Sequence, residues 1–474
     1  MLRPVYAGIL AGLLLATGAA AADRTTPSRP AGRLDWRVAE NRVSAQIDGW
    51  SLDRTLEAIA AATRWQVFVE PGTEHRVFAK FAQLPPGEAL RRLLGSLNYA
   101  LIPADKAAPR LYVFRDARSA ATRRIEAPLG HDPRGRRIDD ELIVRLDRDG
   151  KESIEELARR LGASIVARSD ELGAYRLKFA DAEAAARARR QLEDEPGGAR
   201  LDTNYLVERP DAAGASLPLT APGLNLKARP TAAGEGVVVA VVDTAVQGEA
   251  AGISEFLLPG VSVAGPASLP GEELAHGTSM AATFLRGLSE LAGEPEGTSV
   301  RVLPVDVYGD RPSATTFDIA LGIHAAIRGG ADIVNLSLGG HEESPFLRDL
   351  IRSGREQGVV FLAAAGNEPV ASPTFPAAYP EVIAVTALNR RGEVAPYANY
   401  GDFVDVGAPG VSYVSFWGQP YVIVGTSPAT ANASALAAAI AAGSSKRGAE
   451  LEAEIRRALA VNPVDLAPAT PGHP

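Results

Sequence analysis

The 474-residue sequence contains no cysteine, which excludes disulfide staples, thiolate zinc sites, iron–sulfur clusters and a cysteine nucleophile. It has only 6 histidines, and none stand at a metal-ligand spacing such as His-x3-His, so a zinc enzyme is disfavoured. An excess of positive charge is also missing. Lys plus Arg is 49 against 57 for Asp plus Glu, a net of -8, whereas phosphate backbones are bound by clustered cations. No nucleic-acid partner is expected. Long hydrophobic runs are absent as well. The apolar stretch Tyr6 to Ala16 spans 11 residues, short of the roughly 20 that cross a bilayer, and no transmembrane anchor is expected. Arg3 before that stretch and Ala20-Ala21-Ala22 after it read instead as a signal peptide over residues 1–22, and hence export to the periplasm or medium. Between Asp405 and Lys446 lie 40 residues without a charge, but prolines interrupt them and their last part is Ala, Ser, Thr and Asn. A buried helix of a soluble core fits that segment better.

The average charge hides two different halves. Up to Pro230 there are 36 basic and 31 acidic residues, and from Thr231 onward 13 and 26. The length suits roughly three domains. Residues 34–116 carry mixed strand and helix patterns: strands at Val43–Ile47, Trp65–Glu70, Val77–Phe81, Tyr99–Ile102 and Leu111–Phe114, with helices after Ser51 and from Pro86. This small α+β arrangement is similar to the short N-terminal domain of secretins and TonB-dependent receptors. That resemblance implies an envelope or secretion-system partner and no chemistry. Residues 117–137 are basic, hold Pro and Gly without an apolar period, and read as a linker. A second small unit over 138–209 predicts β-α-β-β-α-β, the ferredoxin-like order, ending in one strand from Leu201 to Val207. Residues 210–230 contain four prolines and read as a second linker.

The third unit, 231–445, carries the chemistry, and a helix and tail over 446–474 follow it. Gly236–Val242 is a continuous Val-rich run, as a strand buried on both faces of a parallel sheet should be, and it delivers Asp243 at its carboxyl end. Further runs at Val300–Val307, Asp332–Leu338, Val359–Ala365 and Val382–Ala387 alternate with helical segments Thr315–Arg328 and Pro345–Glu356. The expected fold class is α/β, a doubly wound, mostly parallel sheet preceded by two small α+β domains. His276 opens a His-Gly-Thr-Ser helix start, and Ser427 sits in Gly-Thr-Ser at the mouth of an Ala-rich helix. A serine hydroxyl becomes a nucleophile when an imidazole takes its proton, and the imidazole needs a carboxylate to fix its tautomer. Asn367, just beyond a strand, is a candidate oxyanion donor beside the Ser427 N–H. An α/β-hydrolase is the nearest enzymatic rival, but Gly-x-Ser-x-Gly fails at Ala429 and the chain order differs. His324 reads as a packed or surface helix residue.

Asp243-Thr244, His276-Gly277-Thr278, Asn335 to Gly339, Ala364 to Asn367 and Gly425-Thr426-Ser427 resemble, in order and spacing, the motifs of the subtilisin-like serine proteases, the subtilases, over about Gly234 to Gly443. The resemblance implies Asp243 as orienting acid, His276 as general base and acid, Ser427 as nucleophile and Asn367 as oxyanion donor. It also implies that Ser337, Leu338, Gly339, Ala364, Ala365 and Gly366 bind the substrate. The reaction would be endopeptidase hydrolysis of a polypeptide through an acyl-enzyme. No cofactor is needed for it; calcium stabilises many subtilases, but no loop singles itself out as a site. Two departures stand out: Ala245 where the family usually has Gly two residues after the Asp, and Pro428 directly after Ser427. A negative φ at Ala245 would preserve the strand end, and Pro428 would suit a first helical turn with Ser427 as N-cap. On the same resemblance 138–209 is similar to the inhibitor-type propeptides of subtilases, which implies a zymogen and self-cleavage between Arg209 and Pro230. The competing class is a degenerate subtilase that binds peptides in an envelope assembly, a role that would not need Asp, His, Ser and Asn together.

Overall fold

The structure, a computed structural model, describes residues 32–461 except 38–41, 64, 71–72, 74, 103–108, 116–122, 126–135, 147–151, 196–198, 211–214, 217–223, 231–235, 266–272, 293–296 and 445. The expected signal peptide lies outside the described residues. Two compact units form, one up to Arg136 and one from Arg137 onward. Among the described residues no helix is long and apolar enough to cross a membrane.

The first unit holds β1 (Gly32–Arg37), β2 (Arg42–Ser51), α1 (Leu52–Thr63), β3 (Gln66–Val69), β4 (Arg76–Leu84), α2 (Pro86–Leu94), β5 (Asn98–Ile102), β6 (Arg110–Phe114) and β7 (Arg123–Ile125). Strands β1-β2-β4 make one antiparallel sheet, and β5-β6-β3-β7 make a second, mixed one in which β3 and β6 run parallel. Leu52, Leu56 and Ile59 from α1 and Leu90, Leu93 and Leu94 from α2 fill a common core, the helical spacing having grouped them on one face of each helix. Strand β7 corrects the reading of 117–137 as linker throughout: Val67, Phe68 and Val69 pair with Ile125, Arg124 and Arg123, so three residues of that segment complete a sheet edge. Three residues are too few to show a period of two.

The second unit opens with β8 (Glu141–Arg145), α3 (Ile154–Leu161), β9 (Ser164–Ser169), β10 (Ala174–Lys178), α4 (Ala182–Glu193) and β11 (Arg200–Asp202). The sheet order is β9-β10-β8-β11, all pairs antiparallel. Both helices begin as the sequence directs. Ser153 and Glu156 close a capping box on α3, and the Asp181 carboxylate accepts from the Ala184 N–H on α4. The expected single strand Leu201–Val207 divides: β11 stays in this sheet, while β12 (Tyr205–Glu208) turns away after Thr203-Asn204 to join another.

The remainder is built on seven strands. In chain order these are β14 (Val237–Asp243), β15 (Val261–Ser262), β16 (Val300–Asp306), β18 (Ile333–Leu336), β19 (Val360–Ala364), β20 (Ile383–Leu388) and β21 (Val406–Pro409), after a short β13 (Ala215–Ser216) and with β17 (Ser313–Thr315) between β16 and β18. Their order across the sheet is β15-β16-β14-β18-β19-β20-β21, and every pairing is parallel. Along β14 alternate residues face opposite sides. Val237, Val239 and Val241 enter one core and Ala240 and Val242 the other, which is why the run is apolar without alternation. The first core is covered by α5 (His276–Ala292) and α8 (Thr426–Ser444), the second by α6 (Thr316–Arg328) and α7 (Pro345–Glu356). A hairpin, β22 (Val411–Phe416) and β23 (Gln419–Val424), precedes α8. The last helix, α9 (Gly448–Ala458), is no appendage, because Leu451, Ile455 and Leu459 enter the first core and Ala460 bridges to Val406.

Candidate active site

Asp243 is the last residue of β14, where parallel strands end and open sheets place their sites. Its carboxylate is fully buried and accepts from the Thr244 N–H at 2.6 Å and from His276 Nδ1 at 2.8 and 2.9 Å. A carboxylate is acceptor-only, so Nδ1 carries the proton and Nε2 keeps the lone pair. His276 is the first residue of α5, and the close start of that helix depends on Gly277. A Cβ there would come within 2.1 Å of the Thr244 carbonyl oxygen. The Gly277 N–H instead donates to Thr244 Oγ1 at 2.8 Å, tying helix start to strand end. Ala245 does not adopt positive φ, so the exchange for Gly leaves the strand end intact.

Ser427 lies in the first turn of α8, which begins at Thr426, two residues earlier than an N-cap at Ser427 would require. Pro428 is thus the third helical residue, where its missing N–H has no intrahelical use. The Thr426 N–H and hydroxyl both donate to Asn367 Oδ1, at 2.8 and 3.1 Å. With its oxygen so engaged, the exposed Asn367 amide has Nδ2 left to donate beside the loop that carries Ser427. Gly366, before it, has φ 106°, and a Cβ there would meet Asn399 Nδ2 at 2.6 Å. Its N–H donates to Thr426 Oγ1 at 3.2 Å.

The expected substrate-binding residues fall on two segments flanking α8. Ser337 Oγ donates to the Ser427 carbonyl at 3.3 Å and accepts from Asn335 Nδ2 at 2.9 Å. Ser434 Oγ donates to Asn335 Oδ1 at 3.0 Å, so a buried polar chain fastens Ser337 to α8. Leu338 is buried, and Gly339 lies against the Phe375 carbonyl. Ala364 and Ala365 are buried at the end of β19, with the Ala365 N–H bonded to Val385 and its carbonyl accepting from Thr374 Oγ1. The sequence placed Thr426 and Asn335 within motifs but gave them no role, and it did not single out Ser434. The Thr-Ser and Asn-x-Ser pairs were the available signal.

Asp202 and Asn204, two residues apart at the end of the small domain, reach the starts of two helices. Asp202 Oδ2 accepts from the Phe346 N–H at 2.8 Å and Ser344 Oγ at 2.6 Å, at the N-terminus of α7. Asn204 Oδ1 accepts from Thr316 Oγ1 and the Phe317 N–H, at the N-terminus of α6. Helix N-termini present unpaired N–H groups and partial positive charge, which these side chains meet. Burial nevertheless pushes the Asp202 carboxyl above its ordinary range, against the opposing effect of those hydrogen bonds. His324, on α6, packs at the same interface, with Nε2 3.1 Å from the Glu171 carboxylate. Beyond these caps β12 pairs with β17, and β13 pairs with β23, whose end leads to Ser427. His341 and Glu368 stand 3.5 Å apart, and the carboxylate raises the histidine's pKa. Among the described residues no group of three or more acidic, His or Cys side chains gathers to hold a metal.

The model of the subtilase family matches residues 234–469, and that of the fervidolysin N-terminal prodomain matches 129–197. Subtilisin Savinase of Lederbergia lenta is 34% identical over 42% of this chain and 73% of its own length. Thermitase of Thermoactinomyces vulgaris is 32% identical over 42% of this chain and 72% of its own. The minor extracellular protease Epr of Bacillus subtilis is 31% identical over 49% of this chain, which spans only 36% of that longer protein.

Proposed function

The chain belongs to the subtilase family of serine endopeptidases, and from that premise we propose that it is an exported, self-processing protease that hydrolyses peptide bonds through an acyl-enzyme on Ser427. The observation that carries the reading is the buried Asp243 carboxylate holding His276 Nδ1 at 2.8 Å. It fixes the tautomer in which Nε2 takes a proton from the Ser427 hydroxyl, and it stabilises the imidazolium that results. The Ser427 N–H and Asn367 Nδ2 receive the developing oxyanion. Collapse returns the proton from His276 to the leaving amine, and water repeats the cycle to free the acid.

The region similar to a prodomain covers the site in cis, a reading supported by the strands that follow it: β12 pairs with β17, and β13 with β23, the strand that leads to Ser427. Self-cleavage between Arg209 and Pro230 would release it. Export follows from the signal-like first 22 residues, and the unit up to Arg136 is the candidate envelope-contact module on the pattern of its α+β arrangement. Hydrolysis of denatured casein, with a fluorophosphonate labelling Ser427, tests the activity. Both should vanish in Ser427→Ala; hydrolysis that persists in that variant would refute the assignment.

A further inference from the structure

We propose that Asn399, a residue outside every motif of the sequence, is a positioning residue for the oxyanion donor: it fixes the peptide groups on both sides of Asn367 and so keeps Nδ2 of that residue aimed where negative charge develops. The proposal rests on the peptidase reading and deepens it.

Asn399 stands between β20 and β21, 31 residues after Glu368, and is fully buried. Its own N–H donates to the Gly366 carbonyl at 2.9 Å, and its Oδ1 accepts from the Glu368 N–H at 2.8 Å. Those two groups belong to the peptide planes that flank the Asn367 Cα. Each plane is rigid, so one residue sets both φ and ψ of Asn367. The Asn399 carbonyl accepts in turn from Thr386 Oγ1 at 2.6 Å, and Thr386 is buried in β20, so the clamp is anchored in the parallel sheet. The next residue extends it, the Tyr400 N–H donating to the Val370 carbonyl at 3.1 Å.

Asn367 needs such holding because its side chain is exposed, and packing does not choose its rotamer. With the backbone fixed by Asn399 and Oδ1 fixed by the Thr426 N–H and hydroxyl, the direction of Nδ2 is determined. An oxyanion donor acts by being in place before the charge appears, and a displacement of about 1 Å can cost about 10²-fold in rate. The choice of asparagine at 399 is specific. Its amide lies against Gly366, where a Cβ would come within 2.6 Å of Nδ2 and 3.1 Å of Cγ, and where φ is 106°. Among the described residues that Nδ2 finds no acceptor, although buried donors are normally paired. An aliphatic side chain would fill the space without the unmade bond. What asparagine supplies is the acceptor oxygen.

The test is a double-mutant cycle on the expressed full-length chain, with kcat and KM taken on a peptide anilide and active sites counted by a fluorophosphonate. Asn399→Ala removes Oδ1 and keeps both backbone bonds; kcat should fall about tenfold, the upper value for one net hydrogen bond, with KM changed less than about twofold. In the Asn367→Leu background, where no amide is left to position, the same substitution should lower kcat less than about twofold. A fall of about tenfold in both backgrounds, or a loss confined to KM, overturns the proposal and leaves the peptidase reading standing. If Asn399→Ala fails to fold, Thr386→Val, which takes away only the anchor of the Asn399 carbonyl, enters the same cycle. It should lower kcat about fivefold in the wild type and less than about twofold in Asn367→Leu, and equal effects in the two backgrounds overturn the proposal. A wild type that hydrolyses nothing overturns the peptidase reading, and the proposal falls with it.

Discussion

Replacing Asp202 by alanine should loosen the docked small domain more than any other single change at that interface. The carboxylate is buried and receives three short hydrogen bonds, one from the N–H of its neighbour Thr203 and two across the interface, from the Phe346 N–H and Ser344 Oγ. Bonds to a charged acceptor contribute about 1.5–3 kcal/mol each, and the helix N-terminus adds roughly 0.3–1 kcal/mol. Desolvation opposes this, since it lifts the Asp202 carboxyl despite those bonds. Alanine removes both terms but leaves the Phe346 N–H without its acceptor, a penalty of about 1–3 kcal/mol, so the net loss is about 2 kcal/mol, a ratio of about 30. Hydrogen exchange of the 200–208 amides in a Ser427→Ala background reads this directly. The pH dependence has a definite sign. A carboxyl whose pKa is raised on docking favours the docked state at low pH, and that contribution is lost as pH rises from about 3.9 through the raised value. Asp202→Asn keeps an acceptor and should flatten this slope. Acceleration below about threefold in Asp202→Ala, or an unchanged pH slope in Asp202→Asn, would refute the reasoning.

Three further outcomes are expected. Asn367→Leu removes the proposed oxyanion donor and the anchor of the Thr426 N–H, so kcat should fall by about 10²–10³ with KM little changed, as steady-state kinetics would show. Gly277→Ala forces a Cβ to within 2.1 Å of a backbone carbonyl; the displaced helix start should part His276 from Asp243, lowering both kcat and the unfolding midpoint. The His341 ring should titrate above the usual value of about 6.5 by NMR, and Glu368→Gln should bring it down. Any stability from that half-exposed pair is present below about pH 6.5 and fades as pH rises through the raised value, so it is small at alkaline pH.

The parallel sheet was legible because burial on both faces leaves its mark in composition: Val237–Val242 has no polar residue to offer either core. The uncharged stretch after Asp405 also declared itself as interior, since α8 is buried almost throughout and rich in small side chains that let it lie close to α5. Asp243, His276, Ser427 and Asn367 stood out by motif. The supporting roles did not: Thr244 and Asn335 lay inside those motifs without an assigned role and Ser434 outside them, because Thr244 ties to Gly277 and Asn335 to Ser434 across tens of positions. Edge pieces such as Val261–Ser262 and Arg123–Ile125 are too short for periodicity to register. The division of 201–207 was invisible for another reason. Local pattern reads Leu201 to Val207 as one strand, and only the two helix N-termini and the open edge of β17, elements more than a hundred residues away, draw its second half aside.

The most direct test is the intact mass of the purified full-length wild-type chain beside that of Ser427→Ala. The account predicts a wild-type product cut between Arg209 and Pro230 and an uncut variant. Two uncut chains, with wild type refusing a fluorophosphonate, or two chains cut alike, would contradict it.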